Sequence, residues 1–191
     1  MLPRFRLLAA ALAALALPAC THSPRSPMAS SPPLRTVSHV DLPRYMGDWR
    51  VIANIPYFAE RGNVDSVETY QLRPDGTIDN RFAFRKHSFD APLKSMAFTA
   101  EVKNPQTNAE WRVRFLPFFK VAYLILDLDP AYQWVAVGHP SRKYGWIMAR
   151  AKTLPEETYQ GILQRLRAQG YDPAKFAKVP QTRAQLGGGA P

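Results

Sequence analysis

Two distant fragments, Gly47-Asp48-Trp49 and Arg150, constrain the fold more than any other feature of this sequence. The first opens a region of short β-like runs, and Arg150 follows the last of them. A guanidinium packed on an indole face is a cation–π pair worth roughly 0.5–2 kcal/mol. Such a pair would join the first strand to the last, so the two fragments predict a closed barrel rather than an open sheet.

The region between these fragments reads as eight short strands separated by turn residues. Arg73-Pro74-Asp75-Gly76 is a strong hairpin signal, and residues 104–108 form another. Short connections favour an up-and-down meander, and closure removes exposed strand edges. We therefore expect an all-β fold, an eight-stranded antiparallel up-and-down β-barrel, with strands at about 48–55, 64–73, 77–87, 94–103, 110–116, 121–128, 133–139 and 144–151.

One helix is predicted after the last strand. Thr153 and Glu156 have capping-box spacing, and Gly170 suits the position after the helix end. Four apolar residues follow helical spacing and form one stripe: Tyr159, Ile162, Leu163 and Leu166. We expect this C-terminal α-helix to pack on the outside of the barrel, with membrane binding by the stripe as the alternative.

The N-terminus has the pattern of an export signal. Arg4 and Arg6 precede an eleven-residue run of Leu and Ala, and Leu17-Pro18-Ala19-Cys20 resembles a bacterial lipobox. We predict a signal peptide at 1–19, an acylated Cys20 with a Pro/Ser-rich tether at 20–38, a folded domain at 39–180 and a disordered tail at 181–191. An ordinary secretory leader is the alternative. Cys20 is the only cysteine, so an intramolecular disulfide is impossible.

Composition excludes several functions. The net charge is +10, but the basic residues are spread along the chain, which favours a solvated surface. Behind an export signal we expect no nucleic-acid partner. The sequence has no G-x-S-x-G elbow, phosphate loop or dinucleotide motif. Its four histidines lack metal-ligand spacing, so neither a metal nor a cofactor is predicted.

With these residues described, the chain resembles lipocalins of the bacterial outer-membrane lipoprotein type, which are similar to plant temperature-induced lipocalins and apolipoprotein D. The resemblance runs from about Val40 to Val179. Its most specific piece is the segment 137–147, VGHPSRKYGWI, which is followed by Arg150. The chain departs from the family pattern at Arg50, where a tyrosine is frequent, and at Gly145, where a bulkier residue is usual.

The resemblance implies a lipid-binding cavity, and strand alternation nominates its lining. If Trp49 points inward, every second residue of the first strand shares its face. The predicted cavity residues are Val51, Ala53, Ile55, Phe82, Phe84, Met96, Phe98, Tyr123, Ile125, Val135 and Val137. We assign Gly47, Trp49 and Arg150 a structural role. Arg61, Lys86 and Lys120 lie near predicted loop ends, where they would meet a ligand headgroup.

These features predict a binding protein rather than an enzyme, with a fatty acid or lysophospholipid as ligand. Its role would be lipid transport, storage or envelope maintenance. The alternatives are a carrier of haem, a pigment or a signal molecule, and an envelope enzyme using Asp65, Glu68 or Asp127 as base. We expect a lipid anchor in the cell outer membrane with the barrel in the periplasm, or else a soluble periplasmic protein. Similar proteins can dimerise, and the sequence leaves a homodimer open.

Overall fold

The fold was obtained as a computed structural model, which describes residues 32–116 and 118–187. The predicted signal peptide, the lipobox and Cys20 lie outside the described residues. Within the described part, no α-helix has both the length and the apolar character needed to cross a bilayer.

Eight antiparallel strands form a closed barrel, as predicted. Each strand pairs with the next, and β1 pairs with both β2 and β8, which closes the sheet. A short ninth strand adds to β1 beyond the predicted set. The bounds are β1 Gly47–Asn54, β2 Asn63–Leu72, β3 Ile78–Lys86, β4 Lys94–Val102, β5 Glu110–Leu116, β6 Phe119–Leu128, β7 Trp134–Gly138, β8 Gly145–Ala149 and β9 Ala177–Lys178.

In the up-and-down topology, successive loops alternate between the two ends of the barrel. The β2–β3, β4–β5 and β6–β7 loops lie at the end where α1 (Leu42–Tyr45) precedes β1, which we call the closed end. The β1–β2, β3–β4, β5–β6 and β7–β8 loops lie at the opposite end, which we call the mouth. Because successive strands are antiparallel, this division follows from strand order alone.

The predicted helix is α2, Glu156–Ala168, and it packs on the outer wall. Its stripe of Tyr159, Ile162, Leu163 and Leu166 is buried in one cluster with outward residues of β1, β6, β7 and β8. The capping-box prediction was wrong: the helix begins at Glu156, and Pro155 occupies the N-cap without a side-chain hydrogen bond. Gly170 follows the helix end with φ +86°, as expected.

Ordered contacts extend beyond both ends of the predicted domain. The backbone N–H of Val37 donates to Ile125, and Leu34 packs on the cluster beneath α2. Gln181 is 1% exposed and donates to the carbonyl oxygens of Val51 and Ser66. A 3-10 helix, Pro173–Lys175, and the short α3, Ala184–Gly187, complete the C-terminal segment.

Bulges interrupt the alternation of four strands. The most consequential lies between Val51 and Ala53 of β1, where one extra residue enters the pairing with β8. A bulge inverts the face of every residue beyond it. Val51 therefore faces inward, Ala53 faces outward and Asn54 faces inward again.

Candidate functional site: the barrel interior

Inward-facing residues of all eight strands form one apolar interior. Alternation along each strand brings these residues to the same side of the sheet. The buried members of this interior cluster include Trp49, Val51, Tyr70, Ile78, Phe82, Phe84, Ala100, Trp111, Val113, Ile125, Val135, Val137 and Met148.

Arg150 and Trp49 seal the closed end. The Arg150 guanidinium carbon lies 3.8 Å from the centroid of the Trp49 ring, so the contact expected from the sequence is present. Arg150 also donates to three backbone carbonyl oxygens, those of Asp48 at 2.8 Å, Arg44 at 2.9 Å and Tyr45 at 3.1 Å. Gly47 has φ +89°, a conformation that favours glycine.

A layer of aromatic side chains lies directly above this seal. Trp111 stacks on Tyr123 with ring centroids 4.9 Å apart, and Tyr45 contacts Trp49 at 5.1 Å. The Tyr123 hydroxyl lies 2.7 Å from that of Tyr45 and 2.9 Å from that of Tyr70. Burial raises the pKa of all three phenols well above the usual value, so the three hydroxyls remain neutral hydrogen-bonding groups.

Two carboxyl groups lie in the otherwise apolar interior. Glu68 of β2 accepts a hydrogen bond of 2.5 Å from Asn80. Glu60, from the β1–β2 loop, accepts from Asn54 and from the Trp146 indole, whose nitrogen is 3.2 Å from both carboxyl oxygens. Because charged carboxylates are costly to bury, both groups titrate far above their usual range.

The causes of the two shifts can be separated. Burial raises the pKa of Glu68 to about 8; the Asn80 hydrogen bond opposes this, and the nearby Glu60 adds to it. Burial raises the pKa of Glu60 to about 7, against the hydrogen bonds from Trp146 and Asn54 and the charge of Lys86. Below about pH 7 both carboxyls are mainly protonated and can donate as well as accept hydrogen bonds.

The largest side chains at the closed end of the interior are fully buried. At the closed end Tyr45, Trp49 and Trp111 are 0% exposed. Towards the mouth, the inward-facing Phe98, Tyr123, Glu68 and Trp146 are only partly buried, although a closed wall of strands surrounds them. Large rings therefore fill the interior at the closed end, and partly exposed side chains lie nearer the mouth.

A separate cavity of about 300 Å³ lies beside the barrel. It is enclosed by the β1–β2 loop, His87 and the C-terminal segment 177–180. Asn54 and Glu60, whose side chains are hydrogen-bonded to each other, belong to its wall.

Most of the predicted lining residues meet in the interior. Six are buried members of its cluster: Val51, Phe82, Phe84, Ile125, Val135 and Val137. Phe98 and Tyr123 pack against it. Met96 lies opposite Phe82 in the register, near the mouth, and is 37% exposed. Whether any of them contacts a ligand stays a prediction.

Ala53 and Ile55 are corrections. Both belong to the cluster beneath α2 on the outer wall, not to the interior. The bulge after Val51 reverses the alternation on which their assignment depended. Asn54 takes the inward position instead and donates to Glu60.

The basic residues expected near the ligand have different surroundings. Lys86 donates to the carbonyl of Ala59 at 3.1 Å and to Asn63 at 3.0 Å. Lys120 pairs with Glu101 at 2.7 Å. Arg61 is exposed on the β1–β2 loop.

Of the three carboxylates proposed as bases, only Glu68 faces the interior. Asp65 pairs with Arg85, and Asp127 pairs with Arg165 of α2 on the outer wall at 2.5 Å. In the described ranges, no group of three His, Cys, Asp or Glu side chains is arranged to hold a metal ion.

Sequence reasoning missed Glu60, Asn54 and Asn80. Asn80 has a usable signal, because it alternates with Phe82 on β3. Asn54 becomes inward only through the bulge, and Glu60 reaches the interior from a loop, so neither follows from strand periodicity.

An antiparallel barrel with one sealed end and an apolar, partly open interior defines a small-molecule-binding β-barrel protein. The lipocalin-like domain family matches residues 40–181, and the chain belongs to the lipocalin family. This family binds lipids and other hydrophobic ligands.

Individual relatives support this membership. The chain is 33% identical over 158 residues to temperature-induced lipocalin-1 of Arabidopsis thaliana, covering 78% of this chain and 83% of the relative. It is 32% identical over 178 residues to outer membrane lipoprotein Blc of Escherichia coli K12, covering 92% and 96%. Apolipoprotein D of Mus musculus is 28% identical, covering 79% of this chain and 81% of its own.

The solved structure of insecticyanin from the tobacco hornworm Manduca sexta has the same fold. It superposes with a TM-score of 0.63 at 18% identity, covering 80% of this chain and 87% of that one.

Proposed function

We propose that this lipocalin binds a fatty acid or lysophospholipid in the mouth half of the barrel, for lipid transport, storage or envelope maintenance. The observation that carries the proposal is the partial exposure of Phe98, Tyr123 and Trp146 on the inner face of a closed barrel. These side chains offer an apolar surface that the protein itself does not cover.

The energetics of such a site are sufficient without special chemistry. An acyl chain of ~14 buried CH₂ groups at ~0.8 kcal/mol each contributes roughly 11 kcal/mol before costs. Association and ordering remove at least ~4 kcal/mol. About 7 kcal/mol at most remains, so the acyl chain alone is expected to give a dissociation constant of about 10 μM.

The interior carboxyls bear on the choice of headgroup. Below about pH 7 neutral Glu60 and Glu68 tolerate a carboxylate or phosphate, whereas in the ionised state they repel it. Both ligand classes are expected to bind more weakly above about pH 8. The loss should be smaller for a zwitterionic lysophospholipid, which carries an ammonium group.

The test begins with native mass spectrometry of the protein made in the periplasm without its leader, followed by organic extraction. A stoichiometric lipid adduct supports the proposal and names the ligand. An empty protein that also leaves its tryptophan fluorescence unchanged on titration with fatty acid and lysophospholipid contradicts it.

A matched pair of variants tests the location. Val121 lies opposite Val113 of the interior cluster, and its neighbour Ala122 has the opposite orientation. Val121→Phe should fill the lumen and weaken binding at least about ten-fold, the effect of about 1.4 kcal/mol. Ala122→Phe should leave affinity unchanged. Equal effects of the two changes would exclude the interior as the site.

A lipid-modifying enzyme is the second candidate, because Glu68 has a pKa of about 8 inside an apolar lumen. Such a group suits general acid–base chemistry near neutral pH. Turnover of a bound lipid that is lost in Glu68→Gln would favour it. Tight binding without turnover favours the carrier.

We also propose that Cys20 is acylated and holds the barrel on the periplasmic side of the outer membrane, with a soluble periplasmic protein as the alternative. The lipobox-like segment and the similarity to relatives named outer membrane lipoprotein support this. Metabolic labelling with an alkyne fatty acid should mark the wild type and not Cys20→Ser. An unlabelled wild type would contradict the proposal.

A further inference from the structure

Large hydrophobic side chains are exposed almost entirely at one end of the barrel. Among the described residues nine are exposed, and eight of them lie in or beside loops of the mouth. We call these eight the rim: Phe58, Leu93, Met96, Phe115, Leu116, Phe118, Phe119 and Tyr144.

The exposure of the rim is extreme. Phe118 is 102% exposed, Phe58 is 85% exposed and Leu116 is 65% exposed. In the described part of the closed-end loops no large hydrophobic side chain is exposed. Exposed apolar side chains concentrated at one end of a protein are typical of an interaction site.

The rim is continuous with the interior. Phe115 contacts the inward-facing Phe98 with ring centroids 4.5 Å apart, and Tyr144 lies 6.0 Å from Tyr57 of the neighbouring β1–β2 loop. A lipid entering the barrel from this side would pass from one apolar surface directly to another.

The basic residues at the mouth favour an anionic surface as the binding partner of the rim. Arg61, Lys94 and Lys143 are exposed on or beside the mouth loops. The exposed acid of the β3–β4 loop, Asp90, is paired with Arg183. Basic residues around exposed aromatic side chains are typical of proteins that bind the interface of anionic bilayers.

The chain also enters the described structure at this end. The carbonyl of Pro32 accepts a hydrogen bond from Arg142 of the β7–β8 loop, which belongs to the mouth. Cys20 precedes Pro32 by twelve positions, a separation of at most about 40 Å when fully extended. A tether of this length is compatible with a mouth that faces the membrane to which an acyl group on Cys20 would attach.

We infer that the rim inserts into the surface of the lipid bilayer, so that the barrel opens towards the membrane. Aromatic and aliphatic side chains of the β1–β2 and β5–β6 loops enter the interfacial region, and the flanking cations contact anionic headgroups. This inference does not depend on which ligand the interior binds.

The experiment rests on the proposed acylation of Cys20 and places a fluorophore at each end of the mature acylated protein, residues 20–191, in vesicles of phosphatidylethanolamine and phosphatidylglycerol. Because acylated Cys20 offers no free thiol, Phe118→Cys and Gln106→Cys each provide one labelling site, at the mouth and at the closed end. Both positions are exposed. The label is an environment-sensitive dye, and the quencher is a nitroxide on a lipid chain.

The label at position 118 should shift to shorter wavelength and lose about half or more of its fluorescence to the quencher, as expected for depths of 5–10 Å. The label at position 106 should be unaffected. Phe58→Ser with Leu116→Ser in the Phe118→Cys protein should reduce the quenching. Water-like emission from both labels overturns the inference. A wavelength shift without quenching that grows with protein concentration assigns the rim to a second copy of the chain and also overturns it.

Discussion

The two ends of the barrel use the same residue types in opposite ways. At the closed end Tyr45, Trp49 and Trp111 are 0% exposed, and the Tyr45 ring contacts both indoles. At the mouth the side chains of Phe58 and Phe118 are exposed to solvent. The residue type alone therefore does not indicate whether an aromatic side chain is buried in this fold. Its position at the closed end or at the mouth decides this.

The difference separates stability from binding. Burial of large rings and the bonds of Arg150 stabilise the closed end, which needs no ligand to be complete. The mouth leaves apolar surface exposed to water, which is unfavourable. Exposed apolar surface of this kind is typical of sites that bind another molecule. Substitutions at the closed end should therefore change unfolding, and substitutions at the mouth should change binding.

The largest expected effect is that of Trp49→Ala. Removing a fully buried indole leaves a cavity and removes the surface on which Arg150 packs, so the free energy of unfolding should fall by about 3–5 kcal/mol. Phe118→Ala removes an equally apolar ring and should change it by less than about 0.5 kcal/mol. Urea denaturation measures both, and similar losses would abolish the distinction between the ends.

Arg150→Met should cost about 2–3 kcal/mol. The change removes the cation–π contact and the hydrogen bonds to the carbonyl oxygens of Asp48, Arg44 and Tyr45, although the Tyr45 oxygen keeps the Trp49 indole as a donor. Arg81→Met, at an exposed position of β3, is the matched control and should be nearly neutral. Equal unfolding midpoints for the two variants would show that Arg150 is dispensable for the seal.

Much of the closed end was predictable from sequence because its signals are local. Trp49 and Arg150 occupy the first and last strands, and turn residues set the strand order between them. The α2 stripe likewise follows a simple helical period. These features depend on residue type and spacing. A β-bulge elsewhere in a strand does not change them.

The mouth and the carboxyl pair were less predictable for physical reasons. The extra residue at Ile52 cannot be recognised in the apolar run 51–53. Because of it, Asn54 and not Ala53 faces the interior. Phe118 and Phe119 lie between two predicted strands, and sequence alone does not distinguish a buried phenylalanine from an exposed one. The pKa of Glu68 depends on burial and on Glu60, a residue brought near by a loop.

The interior carboxyls predict an intermediate, pH-dependent effect. In the folded protein the pKa of Glu68 is about 8, against an ordinary value of 4.5. Folded protein therefore binds more protons than unfolded protein between these values, and the stabilisation present at low pH is lost as pH rises through 8.

Relative to Glu68→Gln, the wild type should lose about 1–2 kcal/mol of stability between pH 5 and pH 8.5. One pKa unit corresponds to about 1.4 kcal/mol, and partial hydration of the side chain reduces the total. Urea melts of both proteins across this range give the difference. A constant difference would mean that Glu68 ionises normally and that the mouth half of the interior is as wet as the solvent.

The smallest expected effect sharpens the boundary between the two ends. Tyr123→Phe removes the hydroxyl that joins Tyr45 and Tyr70 while keeping the ring stacked on Trp111. The buried hydroxyls of Tyr45 and Tyr70 then lose a partner, so the free energy of unfolding should fall by about 1 kcal/mol. Tyr144→Phe removes a hydroxyl at the mouth and should have no measurable effect. If Tyr123→Phe is equally neutral but alters ligand affinity, the hydroxyl layer belongs to the binding site, and the lumen extends down to the seal formed by Trp49 and Arg150.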